Sequence, residues 1–156
     1  EPSFENTLEG TVEETTEQTM EDTIEETSEE TEEPTCVDSL EVSAGCFATT
    51  DGEDILVFFR SCTPEEGDWV GVFEASEEPT NLLGISAVDW LYTCGDQDCQ
   101  EPILQEVLPF QQENGEYEPG TFYRVHLIRD GSGPFFSAYA SGPTFRVVQD
   151  ALECTM

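Results

Sequence analysis

Lysine is absent from this chain, and the only arginines are Arg60, Arg124, Arg129 and Arg146. Against them stand 36 aspartates and glutamates, for a formal net charge of −32. A surface of that sign repels nucleic acid and anionic lipid, so no nucleic-acid role is expected. Its charged partners would be cations: metal ions, basic proteins or polyamines. Histidine occurs once, at His126, and there is no CxxC pair, which removes the usual zinc-ligand patterns. No run of about 18 apolar residues exists, so no transmembrane segment is expected in this chain, and no signal peptide is recognisable. The start at Glu1, without Met, is expected of a mature or excised fragment. What the chain does have is six cysteines, an even number in 156 residues. That count points to disulfides and hence to an oxidising, extracellular compartment.

The first 35 residues form a segment of their own. Threonine recurs without a break at Thr7, Thr11, Thr15, Thr19, Thr23, Thr27, Thr31 and Thr35, in a unit close to Thr-x-Glu-Glu. Residues 1–35 carry 14 acids and no basic residue. A four-residue repeat overshoots a helical turn by about 40°, so Leu8, Val12, Met20 and Ile24 spiral instead of forming a stripe. Threonine is a poor helix former, and like charges repel at i, i+4. A disordered, extended stalk is expected, ending at Pro34. Three readings of it stay open: a plain solvated spacer, an O-glycosylated stalk, and a substrate for an acid-directed kinase at Thr11, Thr19, Thr23 and Thr27.

Residues 36–156 read as an all-β domain. The stretch Asp68-Trp69-Val70-Gly71-Val72-Phe73 is apolar on both faces, with Val70 and Val72 on one side and Trp69, Gly71 and Phe73 on the other. It reads as a central strand buried on two sides, with Asp68 capping its start. Alternating patterns predict further strands over 39–43 continuing through 46–49, then 55–62, 85–94, 103–110 and 122–129. The last strand, from 135–139 and 144–148, is expected to be interrupted by Ser141-Gly142-Pro143. About seven antiparallel strands and no convincing helix describe an immunoglobulin-like β-sandwich. Tyr123 follows Pro119-Gly120 and precedes Val125 by two, where a tyrosine corner sits. Trp69, Gly71, Phe73, Trp90, Tyr123 and Val125 are the expected structural core.

The Asp68–Phe73 pattern resembles the strand that marks SKICH-type immunoglobulin-like domains and the non-catalytic N-terminal domain of purple acid phosphatases. The resemblance extends to the turn Gly52-Glu53-Asp54-Ile55. It also takes in Trp90 to Cys94 followed by Cys99, and the closing hairpin of 120–127 and 138–147. It implies a non-catalytic module: a partner-binding unit, or a structural companion to a metallophosphatase domain. The phosphatase activity needs a cluster of His and Asp in another fold, which one histidine cannot supply.

The sandwich topology suggests how the cysteines pair. Cys94 and Cys99 close a short loop whatever the fold. A hairpin turn at 51–54 brings Cys36 toward Cys62, leaving Cys46 for Cys154. Cys46 with Cys62 stays open if the Cys46 segment leaves that hairpin. His126 lies between Val125 and Leu127 and is expected to be a surface imidazole, because no motif supplies a nucleophile and a supporting acid. Glu65, Glu66, Asp68 and Asp130 fall in loops at one end of a sandwich. Oxygen ligands from such loops can hold Ca²⁺. With 36 acids some clustering is inevitable, so solvated loops are the expectation and weak Ca²⁺ binding the alternative.

No cofactor is expected and no catalytic residue is identified. The expected function is a secreted or cell-surface, non-catalytic binding or structural module on an acidic stalk, its partner a protein or a polycationic or matrix component. The alternative is an accessory domain of a phosphatase-like metalloenzyme whose catalytic domain lies outside this chain. Residues 36–156 hold 22 acids and four arginines, a net −18, and self-repulsion at that charge opposes folding. Added NaCl should therefore raise the melting temperature by screening. Exchanging part of it for about 1 mM CaCl₂ at constant ionic strength should add little; a saturable further rise, abolished by Asp68→Asn or Asp130→Asn, would establish a calcium site.

Overall fold

The computed structural model describes residues 34–129 and 133–156. The repeat segment up to residue 33, with everything expected of it, lies outside the described residues. The domain, Cys36–Met156, is all-β. Its strands are β1 (Ser39–Val42), β2 (Cys46–Ala48), β3 (Ile55–Arg60), β4 (Trp69–Glu74), β5 (Leu82–Leu83), β6 (Asp89–Tyr92), β7 (Gln105–Phe110), β8 (Phe122–Ile128), β9 (Phe135–Phe136) and β10 (Ala138–Val148). Short 3₁₀ turns fall at Gly84–Ser86, Gln112–Asn114 and Ala151–Thr155. Among the described residues no helix is long and apolar enough to cross a membrane.

Two sheets, ordered β1-β3-β7 and β2-β10-β8-β4-β6, pack as an immunoglobulin-like sandwich. Alternation builds the interior. Val57, Phe59, Leu108 and Phe110 of the smaller sheet meet Val70, Val72, Val125, Leu127 and Phe145 of the larger one. The Tyr123 hydroxyl reaches back to accept a 2.7 Å hydrogen bond from the Glu118 backbone N–H, so the tyrosine corner is formed.

The edge of the fold departs from the expected pattern in three places. The run from 39 to 49 is not one strand. β1 pairs antiparallel with β3, whereas β2 pairs parallel with β10 in the other sheet, Cys46 opposite Arg146. The chain changes sheets through 43–45, which frees Cys46 from the β1–β3 hairpin. The last strand is continuous: Ser141-Gly142-Pro143 is absorbed as a bulge in β10. Proline tolerates this because a bulge leaves a residue unpaired. Gly142 permits it because a Cβ there would lie 2.6 Å from Val125. The run from 85 opens as a 3₁₀ turn, with Ile85 88% exposed, and becomes strand only at Asp89.

Three disulfides tie the ends of the sandwich: Cys36–Cys62, Cys46–Cys154 and Cys94–Cys99. The first joins the chain ahead of β1 to the end of β3. The second fixes the C-terminal turn to β2. The third closes the loop after β6.

β4 is buried on both faces, as its sequence implies. Val70 and Val72 face the sandwich interior, while Trp69 and Phe73 join Leu82 and Ile128 in a second apolar layer on the outside of the larger sheet. The short β5–β9 pair covers part of that layer, Leu82 opposite Phe136. Gly71 lies between the two rings. A Cβ there would stand 2.6 Å from Phe73 and 2.7 Å from Trp69. Gly71→Ala should therefore destabilise the domain by about 1–3 kcal/mol through overpacking. Chemical denaturation checks this, and an unchanged midpoint would show that both rings can move aside.

Candidate functional site

The outer layer is incomplete, and where its cover stops there is a cleft of about 260 Å³ lined by Trp69, Gly84, Trp90, Tyr92 and Phe136. Strand register explains the assembly. Trp69 of β4 pairs with Tyr92 of β6, and Gly71 with Trp90, so the aromatic side chains stand side by side on one face. Phe136 arrives from the opposite direction on β9. The rings meet nearly at right angles: Trp69–Trp90 at 6.2 Å and 78°, Trp69–Phe136 at 5.4 Å and 89°, Trp90–Tyr92 at 5.2 Å and 87°. Trp69 is only 8% exposed, whereas Trp90, Tyr92 and Phe136 are half-buried. Trp90, expected in the core, is thus a wall of the cleft as well as a packing residue. Ile85 and Phe135, each next in sequence to a lining residue, are exposed.

The Cys94–Cys99 loop buttresses one wall. Gln97 donates to the Trp90 carbonyl at 3.0 Å, Gln100 to the Tyr92 hydroxyl at 3.2 Å, and the Tyr92 N–H to the Asp96 carbonyl at 3.0 Å. Gly84 shapes the opposite rim: a Cβ there would lie 2.8 Å from the Phe136 ring. Glu77 stands beside this rim, near Leu83 and Ser86, its carboxyl raised above the ordinary range by burial and by the neighbouring Glu74.

Below Trp69 the chain holds a buried ion pair. Asp68, expected in a solvated loop, is 1% exposed. Arg129 Nε donates to Asp68 Oδ1 at 3.2 Å, and the Glu65 N–H and Tyr139 hydroxyl donate to Oδ2 at 2.9 and 3.0 Å. Arg129 also lies 3.3 Å from Glu65 and 4.6 Å from the centre of the Tyr139 ring. The Asp68 hydrogen bond holds the Arg129 guanidinium more firmly protonated, and burial pushes the Tyr139 phenol up to about 12. The oxygens of Asp68 are thus engaged within the fold and do not face a loop cavity. Glu66 is exposed, and Asp130 lies outside the described residues. Among the described residues no group of three or more His, Cys, Asp or Glu is arranged to hold a metal ion.

His126 requires a correction: it is fully buried, not a surface imidazole. Alternation rightly places it on the outer face of the larger sheet, between the inward Val125 and Leu127. That face is itself covered. His126 stands opposite Gly71 on β4 and Ser141 on β10, with the Phe73 ring 5.7 Å away. Nδ1 lies 2.8 Å from Ser141 Oγ, and Nε2 has no partner among the described residues. The ring thus packs within the outer layer, with Ser141 its hydrogen-bond partner among the described residues. Asp89 and Tyr117 form a second buried polar contact, at 3.4 Å, and burial raises both groups.

Of the residues singled out in the sequence, Trp69 and Trp90 come together in the cleft. Gly71 makes room beneath their layer, and Phe73 completes it. Tyr123 and Val125 belong to the sandwich interior. Tyr92, Gly84 and Phe136 were not singled out. The two-residue spacing of Trp90 and Tyr92 signals a shared strand face, but nothing local signals that Phe136 folds over it. No protein-family model matches this chain, and neither a curated protein nor a solved structure matches it.

The buried imidazole makes stability depend on pH. Burial, and then the Arg124 charge, lower its pKa from 6.5 to about 4. Between those values the unfolded chain binds a proton that the folded one refuses, so stability is complete above pH 6.5 and falls as pH drops toward 4. The loss is roughly 3 kcal/mol. His126→Phe removes it. The stability difference between wild type and variant, measured by denaturation at pH 7 and pH 4, should shift by about that amount in the variant's favour, because the carboxylates cancel. A constant difference would show that the imidazole protonates within the fold.

Proposed function

We propose that this protein is a secreted or cell-surface, non-catalytic module that binds a partner through the outer face of its larger sheet. The aromatic cleft carries this reading. Trp69, Trp90, Tyr92 and Phe136 surround a shallow apolar space at the protein surface. Aromatic rings of this kind are enriched at recognition sites because they bring large contact area with little conformational freedom to lose. Three intramolecular disulfides are consistent with an extracellular protein. The acidic repeat segment would then act as a spacer that holds the module away from whatever carries it. The resemblance of the Asp68–Phe73 strand to non-catalytic immunoglobulin-like modules points the same way.

The test combines redox state with retention on the exterior of source cells. Full chain collected from the secretory route should show no free thiol by alkylation and mass spectrometry. It should be retained on cell-surface or matrix material, and Trp90→Leu with an unchanged melting temperature should be retained about tenfold more weakly, a loss near 1.4 kcal/mol. Two or more free thiols would remove the extracellular reading. Equal retention of wild type and Trp90→Leu would remove the cleft from the function.

A further inference from the structure

Among the described residues, no charged one lines the cleft. Glu77 stands at the Gly84 rim, while Asp96 and Asp98, on the loop that braces the Trp90 and Tyr92 wall, line the other side of β6 with Asp89 and Leu91. No arginine lines the cleft, and Arg129, the nearest in sequence to Trp69's partner Ile128, is committed to Asp68 and Glu65. The domain around it carries a net −18.

Ring geometry narrows the occupant further. A sugar ring stacks best on a flat, exposed aromatic shelf. Here successive rings stand 78–89° apart, which makes a box with walls at different angles. A box of electron-rich rings in a strongly acidic domain suits a compact organic cation, which ring faces attract and the acidic field concentrates. Residues 1–35 hold no basic residue, and a second copy brings a net −32 that repels the first. Arginine suits such a site better than lysine, because its planar, weakly hydrated guanidinium stacks on aromatic faces. The same domain already pairs Arg129 with the Tyr139 ring at 4.6 Å.

We propose that the cleft receives an arginine side chain from a basic polypeptide partner, with Trp90, Tyr92 and Phe136 enclosing the guanidinium and Glu77, with the net −18 of the domain, drawing the basic segment in. This rests on reading the cleft as a binding site, and it names the partner's chemistry.

Trp69 and Trp90 are the only two tryptophans in the chain, so intrinsic fluorescence reports on this cleft alone. The oxidised full chain is titrated with a nonapeptide of alternating Arg and Gly at about 0.15 M ionic strength, where diffuse surface attraction is largely screened. A saturable fluorescence change is expected. The same peptide with neutral citrulline in place of Arg should bind at least about tenfold more weakly, as loss of a desolvated cation–π contact implies. Trp90→Leu and Tyr92→Leu, each checked for an unchanged melting temperature, should weaken the Arg peptide about as much. Glu41→Gln with Glu106→Gln, on the smaller sheet, should leave it within about twofold. Equal binding of the citrulline peptide, or a response to neutral pyranosides instead, would overturn the cationic partner while leaving the cleft a binding site. Arg-peptide binding indifferent to both cleft variants would overturn it as diffuse charge attraction. Silence toward every probe, with surface retention indifferent to Trp90→Leu, would overturn both this inference and the binding reading.

Discussion

A strand that is apolar on both faces must be covered on both, and β4 imposes that requirement on the whole domain. Its inner face is satisfied by the opposing sheet, through Val70 and Val72. Its outer face carries Trp69 and Phe73, leaning over Gly71, and a single sandwich has no second sheet to offer there. The long connections supply the cover instead. Leu82 from the segment after β4 and Phe136 from the segment after β8 pair across the short β5–β9 ladder. Desolvation then spreads. His126, opposite Gly71, loses its water and its proton affinity. Asp68, at the start of the strand, is buried and must be matched by Arg129 and Tyr139, since an unpaired buried carboxylate would cost several kcal/mol.

The aromatic cleft is the same constraint seen at its margin. The β5–β9 cover is two residues wide on each strand, too small to reach across Trp90 and Tyr92. Those rings therefore pack on Trp69 from one side and face solvent on the other. Had the cover been complete, the outer layer would be a second core and nothing more. Its incompleteness turns packing residues into a surface that another molecule can use.

Charge and covalent cross-links act against each other around this framework. A domain at −18 repels itself, and neutralising the buried Asp68 consumes one of only four arginines. The disulfides compensate by restricting the unfolded chain, each by roughly 2–4 kcal/mol. Their positions match the need: Cys36–Cys62 and Cys46–Cys154 fasten the two ends of the described chain to the sandwich, and Cys94–Cys99 stiffens the loop that supports the cleft wall.

Much of this was legible in the residues. Period-two alternation and turn residues located the seven principal strands. The tyrosine corner followed from Tyr123 and Pro119-Gly120, and the hairpin and the short loop suggested Cys36–Cys62 and Cys94–Cys99, with Cys46–Cys62 left open until the structure paired Cys46 with Cys154. What alternation encodes is the side of a sheet, because side chains alternate by local geometry. It does not encode whether that side is wet. That is why His126 was placed on the correct face with the wrong exposure, and why Asp68 read as a loop acid when Arg129 and Tyr139, 61 and 71 residues away, bury it. Likewise the division of 39–49 between two sheets depends on β10 lying beside β2, a contact across about a hundred residues. The sequence by itself determined most of the strands, their inward and outward faces, the acidic field and an even set of paired cysteines, all of which rest on local stereochemistry and composition. Only the tertiary structure decided how far the outer face is covered, and with it the buried histidine and the open aromatic cleft, because cover depends on where distant segments come to rest.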